Sequence, residues 1–195
     1  MRLISTCFAL AFVGCVITAR PLAGEKDGLA GNTVLIIRHA EKPETGTGLT
    51  AQGEARARAY ASYFEPFREG DLNFRVDALY AGADSKNSIR PRLTLEPLAH
   101  AAGLTLHSDI GTNDPDALVR ELREKPHRKH PLIAWRHGQI PALLTSFGVS
   151  PQTLLPNGEW PDEVFDWVIV LEFNGDGRLV SQRLLHERPD IQRAK

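Results

Sequence analysis

The stretch that most constrains the fold is TVLII at residues 33–37, an unbroken apolar and largely β-branched run closed by Arg38-His39. A strand with one wet face alternates apolar and polar residues, so a continuous run predicts a strand covered on both faces. PLIAW at 131–135 repeats the pattern and closes on Arg136-His137. The covering layers are legible between the strands. LTAQGEARARAYASYF (49–64) reads as a helix with Thr50 as N-cap. NDPDALVRELREK (113–125) reads as a second, with Asp114 as N-cap and Pro115 at the first helical position. In NSIRPRLTLEPLAHAAG (87–103) the second half is helical, with Leu95, Leu98 and Ala102 on one face and Gly103 as terminator. IPALLTSFG (140–148) is a further helix ended by Gly148, and VDALYAG (76–82) and LTLH (104–107) are strands. Near the end, DWVIVLEF and RLVSQRLL flank NGDG at 174–177, a β-hairpin signal. The expected fold is therefore α/β, a three-layer α/β/α sandwich. Its sheet is mainly parallel with an antiparallel edge hairpin.

At 195 residues the chain suits one domain, with a core large enough to need no disulfide or metal staple. The first 23 residues stand apart. An early Arg2, an apolar stretch from Leu3 to Thr18 and small residues after it have the layout of a secretory signal, with cleavage after Ala19 or Ala23. The apolar run is short for a membrane span of ~20 residues. Both cysteines, Cys7 and Cys15, lie in it, so cleavage would leave a thiol-free chain that cannot mispair in an oxidising compartment. FVGC (12–15) also resembles a lipoprotein signal, in which Cys15 would carry a lipid anchor. The expectation is a signal peptide over 1–23, one domain over 24–195, and a periplasmic or secreted product. A net charge of −1 calls for neither nucleic acid nor an anionic membrane as partner, so any positive potential must be local.

In a parallel α/β sheet, ligands bind outside the carboxyl ends of the strands. Arg38-His39 and Arg136-His137 both stand there on this reading, each followed by a small residue, Ala40 or Gly138. Arg90 stands at the carboxyl edge of another strand, and Thr94, four residues on, shares its helix face. Arginine offers a fixed fork of donors suited to phosphate oxygens, and histidine titrates near neutrality and can attack phosphorus.

LIIRHAEK, GLTAQGEARA, SIRPRLTLEPLA and LIAWRHGQI, in that order over residues 33–148, resemble the signature elements of the histidine phosphatase superfamily, the phosphoglycerate-mutase-like proteins. WPDEVFDWVIVLEF is similar to the end of its small secreted members. The resemblance implies a nucleophile at His39 that forms a phosphohistidine on a small phosphorylated substrate. Arg38, Arg90 and His137 would hold the phosphoryl oxygens, with no metal and no cofactor. Lys42, Thr94, Gly138, Gln139 and Arg136 are further candidate substrate contacts, although strand alternation keeps Arg136 and His137 from facing one site together. The family's leaving-group acid has no single counterpart here. Gly138-Gln139 follow the second histidine where the phytase-like branch has Asp, and Asp109, Asp114, Glu159 and Asp162 all remain candidates. Trp160, in the Pro-rich loop, is a candidate lid. Three other readings compete: a mutase, disfavoured by short loops after Arg90; a phosphate-binding module without turnover; and a metallohydrolase using His39, Glu41 and His137, whose spacing is unlike the zinc helix motifs.

Overall fold

The structure, a computed structural model, describes residues 27–125, 128–188 and 191; the expected signal segment and both cysteines lie outside them. Eight strands and four helices follow one another as β1 (Thr33–Arg38), α1 (Ala51–Tyr63), β2 (Phe67–Glu69), β3 (Leu72–Phe74), β4 (Ala78–Ala81), α2 (Arg90–Ala102), β5 (Leu106–His107), α3 (Pro115–Glu124), β6 (Pro131–Trp135), α4 (Ile140–Ser146), β7 (Trp167–Phe173) and β8 (Leu179–His186). Six strands form one sheet in the order β5-β4-β6-β1-β7-β8. Strands β5, β4, β6 and β1 run parallel, β7 pairs antiparallel with β1, and β8 closes the edge.

The sheet is buried on both faces, as the unbroken runs require. Val34 and Ile36 of β1 pack with Leu118, Leu122, Leu143 and Leu144 of α3 and α4. Leu35 and Ile37, pointing the other way, pack with Tyr60, Tyr63, Leu95 and Leu98 of α1 and α2. No helix among the described residues is long and apolar enough to cross a membrane.

Thr50 caps α1, its hydroxyl accepting from the Gly53 N–H at 3.1 Å, and Asp114 caps α3 by accepting from Ala117 N–H at 3.2 Å. Three elements differ from expectation. Helix α2 begins at Arg90 rather than midway along its segment, because Pro91 suits the first turn, where no N–H partner is needed; it ends at Gly103 in the left-handed region, φ 65°. The hairpin β2-β3 turns on Gly70-Asp71, a two-residue signal flanked by strands too short to show a period. GEKDGLAGN (24–32), polar and Gly-rich by sequence, still reaches the core: Leu29 is fully buried beneath α3.

Candidate active site

Strands β1 and β6 are adjacent and parallel, with Arg38 in register with Trp135. Their carboxyl ends therefore abut, and the His39 N–H donates to the Trp135 carbonyl at 3.0 Å. This pairing unites the two Arg-His dipeptides. The register also sorts them by face. Arg38 continues the α3/α4 side and meets His137, while Arg136 continues the opposite side toward the head of α2.

His39 is 3% exposed. Its Nδ1 lies 2.7 Å from the Ala40 carbonyl oxygen, which can only accept, so Nδ1 carries the proton and Nε2 keeps its lone pair. Burial pushes His39 from its usual 6.5 down to about 3; the Ala40 contact opposes this, and the Arg38, Arg90 and His137 charges add to it. The ring is thus neutral across the physiological range.

Arg38 is 1% exposed and serves as the hub. One terminal nitrogen donates to the carbonyls of Asp162 at 2.7 Å, Val164 at 2.8 Å and Pro161 at 3.2 Å. The guanidinium stacks 3.7 Å from the Phe165 ring centroid. Residues 161–165 thus form a strap anchored on Arg38. The other terminal nitrogen donates to His137 Nδ1 at 3.2 Å. Buried Nε makes no hydrogen bond among the described residues. Burial lowers the Arg38 pKa to about 10, against the pull of Asp162 and Glu41, so it stays a cation.

Because Arg38 donates to Nδ1 of His137, the proton of that ring is on Nε2, which lies 2.6 Å from Asp162 Oδ1. The His39 and His137 rings stand 6.0 Å apart, nearly perpendicular at 75°. Burial lowers the His137 pKa, the Arg38 and Lys42 charges help, and Asp162 opposes. Arg90 brings a second guanidinium near His39. Its guanidinium donates to the carbonyls of Gly48, at 2.9 Å, and Gly46, and to Ser88 Oγ at 3.2 Å.

Other candidates fall elsewhere. Thr94 is completely buried; its hydroxyl accepts from the Ala40 N–H at 2.9 Å and donates to the Arg90 carbonyl at 2.8 Å. It is placed to tie the β1 end to α2, not to touch a ligand, and the Ala40 N–H is taken as well. Gly138 and Arg136 are exposed at the mouth, and Lys42 is exposed beside His137. Gln139 is half-buried and its N–H closes the turn on the Arg136 carbonyl at 2.8 Å. Of the four carboxyl candidates only Asp162 touches the cluster: Asp114 caps α3, Asp109 lies by Tyr80 and His107, and Glu159 is exposed on the loop before the strap. Trp160 is not a lid. It is 4% exposed in the core and its Nε1–H donates to Val164 O at 2.8 Å, so it moors the strap from beneath.

Arg56, the arginine of the GLTAQGEARA element, is a supporting residue whose role only the fold shows. It is 5% exposed and grips Glu41 through Nε, at 3.0 and 3.1 Å, and a terminal nitrogen at 2.8 Å, while its other terminal nitrogen holds Glu187. The Tyr60 hydroxyl donates to Glu187 at 2.6 Å. Glu41 is therefore engaged by an arginine, which counts against its use as a metal ligand with the two histidines. The signal was a charged residue inside the buried stripe Gly53, Ala57, Tyr60 of α1. Gly53 itself is demanded by closeness, since a Cβ there would come within 2.6 Å of the Glu41 carbonyl.

No family profile and no curated protein sequence matches the chain. Solved structures do. The protein histidine phosphatase SixA complexed with tungstate aligns with TM-score 0.51 at 13% identity, over 77% of this chain and 95% of that one. A SixA protein of Agrobacterium tumefaciens, assigned as a phosphohistidine phosphatase, aligns with TM-score 0.52 at 17% identity, over 77% and 97%. This chain has the histidine phosphatase fold. A mycobacterial glucosyl-3-phosphoglycerate phosphatase shares that fold, with TM-score 0.50 at 17% identity over 80% and 98%. The histidine phosphatase fold brings the carboxyl ends of β1 and β6 together, and these carry the paired histidines described above.

Proposed function

We propose that the chain hydrolyses phosphate monoesters through a phosphohistidine on His39, without a metal ion. The observation that carries this is a buried, neutral histidine with its Nε2 lone pair free, enclosed by Arg38, Arg90 and His137. The buried Nε–H of Arg38 adds a donor with no acceptor among the described residues; such a group costs about 1–3 kcal/mol unless an acceptor meets it. A phosphoryl oxygen is a fitting acceptor. The shared fold with phosphatases supports the same reading.

In the first step His39 Nε2 attacks phosphorus and the bond to the leaving oxygen breaks. Arg38, Arg90 and the Nε2–H of His137 hold the phosphoryl oxygens as charge spreads over them, the task metal ions perform in other phosphoryl-transfer sites. Asp162 supplies the proton to the leaving oxygen. Its carboxylate now occupies the place on His137 Nε2 that a phosphoryl oxygen would take, and its side chain is 67% exposed, so it can swing toward the leaving group when substrate enters. The proton it delivers enters with a monoanionic phosphate ester, and the carboxyl relays it to the leaving oxygen. In the second step water attacks the phosphohistidine, gives its proton to the Asp162 carboxylate, and releases phosphate and free His39. A binding module without turnover would lack a carboxyl at this position. The layout of residues 1–23 supports an exported enzyme, periplasmic or secreted.

The test is hydrolysis of p-nitrophenyl phosphate with EDTA present, together with alkaline quench of the wild type. Hydrolysis that survives EDTA, and trapped phosphate that is acid-labile and base-stable, are expected; activity that EDTA abolishes would overturn the metal-free mechanism. Asp162→Asn provides a second check. General acid catalysis contributes about 10²–10⁴-fold. The variant should lose that on an alkyl phosphate, whose alkoxide needs a proton, and far less on p-nitrophenyl phosphate, whose phenolate leaves unaided. Equal losses on both substrates would remove Asp162 from the acid role.

A further inference from the structure

We infer that the substrate carries a second anionic group, a carboxylate or a second phosphate, bound by Arg136 and Lys86 in a pocket beside the phosphoryl site. This rests on the phosphatase reading and names the class of ester it acts on. A pocket of about 430 Å³ lies between the turn at 83–88, Pro91 at the head of α2, and residues 111–113 before α3, with Arg136 on its wall. Strand alternation delivers Arg136 here while it sends His137 to Arg38.

Several features fit the pocket to an anion. The Arg136 guanidinium is exposed and makes no hydrogen bond or ion pair among the described residues. Lys86 is exposed on a turn whose ends are locked by reciprocal hydrogen bonds between Ser85 and Ser88, at 2.9 and 3.2 Å. Asn87, Asn113 and Thr112 supply neutral donors. The lining has one carboxylate, Asp84, and Arg92 already holds it at 2.8 Å. The uncompensated charge of the pocket is therefore positive, although the chain as a whole is at −1. Local fields of this kind recruit anions without regard to net charge.

The pocket and the phosphoryl site meet at Ser88. Ser88 lines the pocket, and its hydroxyl accepts from Arg90, one of the phosphoryl ligands. Burial lowers the Arg90 pKa, and Arg136 stands close enough for its charge to lower it further. Two guanidiniums with no carboxylate between them repel until anions occupy both, so one small molecule with two anionic ends relieves both at once.

The test compares matched pairs that differ by one anionic group: ethyl phosphate with phosphoglycolate, and propyl phosphate with 1,3-propanediol bisphosphate. Binding is read by calorimetry on the His39→Ala chain, so that turnover does not intrude. The doubly anionic member of at least one pair should bind about tenfold more tightly or better; which pair shows the larger ratio tells carboxylate from phosphate. Adding Arg136→Met should bring that ratio close to one, and Arg136→Lys should retain part of it. Each ratio is taken within one protein, so a general change in phosphate affinity cancels. Equal affinities within both pairs, or a ratio that survives Arg136→Met, would overturn the inference. Absence of hydrolysis by the wild type would instead overturn the phosphatase reading and leave the binding ratio readable.

Discussion

His39→Ala is expected to lower kcat for p-nitrophenyl phosphate by about 10³-fold or more, the scale on which removal of a covalent nucleophile acts. The loss should be chemical, not structural. The ring's one hydrogen bond is to its neighbour Ala40, while the contact that seats the residue is made by its backbone N–H on Trp135 and survives the substitution. Circular dichroism should be unchanged and the trapped phosphate should vanish. Equal hydrolysis by wild type and variant would remove His39 from the mechanism.

The same residue carries a pH signature. Its folded pKa is about 3 against 6.5 in the unfolded chain, so between those values the unfolded chain takes up a proton that the native ring refuses. Stability that His39 permits above pH 6.5 is therefore lost as pH falls toward 3. His39→Ala lacks that titration, and its urea midpoint should fall less steeply with acidification than that of the wild type. In kcat/KM, corrected for the substrate's own ionisation, no break near 6.5 should be assignable to the nucleophile. A break there that disappears with His39 substitution would show that the ring is protonated in the free enzyme.

Arg56→Met should destabilise the chain by about 3–5 kcal/mol, the usual result of removing one partner from a buried ion pair. For a domain of this size that is a fall of about 10 °C in Tm. The reason is the pair of carboxylates left behind. Glu41 and Glu187 are both buried, 9% and 2% exposed, and Arg56 lies between them with three hydrogen bonds to one and a further bond to the other. Burial already raises Glu187 to about 7, and Arg56 is what keeps it from rising further. A carboxyl whose folded pKa is raised stabilises most below its unfolded pKa, 4.5, and that contribution is lost as pH rises through 7. The deficit of Arg56→Met should therefore be larger at pH 8 than at pH 5, where protonation neutralises the stranded group. Urea denaturation at the two pH values measures it. A deficit below 1 kcal/mol at both would show that the network is a surface-like ion pair despite its burial.

How much was legible depended on range. TVLII and PLIAW announced doubly covered strands because four or more consecutive apolar residues leave no face for water. Thr50, Asp114-Pro115 and NGDG marked boundaries because capping and tight turns are decided by residues two to four apart. The hairpin β2-β3 escaped because each strand buries only its first residue, Phe67 and Leu72, so no alternation builds up. Trp160 was a candidate lid because a Pro-rich loop reads as surface; its burial follows from the ring of Trp167, 5.3 Å away on a strand that the sequence does not place beneath it.

The candidate site divides in the same way. That Arg38, His39 and His137 stand at strand ends follows from the sequence alone, because hydrophobic runs and their terminators locate those ends; that Arg90 heads α2 is seen only in the fold. Which of them face one another does not, because that is set by strand order and register. Only the pairing of Arg38 with Trp135 places His39 beside His137 and sends Arg136 to a different pocket from its neighbour. Only the fold brings Pro161–Phe165 onto Arg38, singles out Asp162 among four carboxyls, and joins Glu41, Arg56 and Glu187 across three distant segments. Local chemistry is written residue by residue. The contacts that tune a histidine or charge a pocket are made between residues far apart in the chain, and they exist only once the sheet has chosen its order.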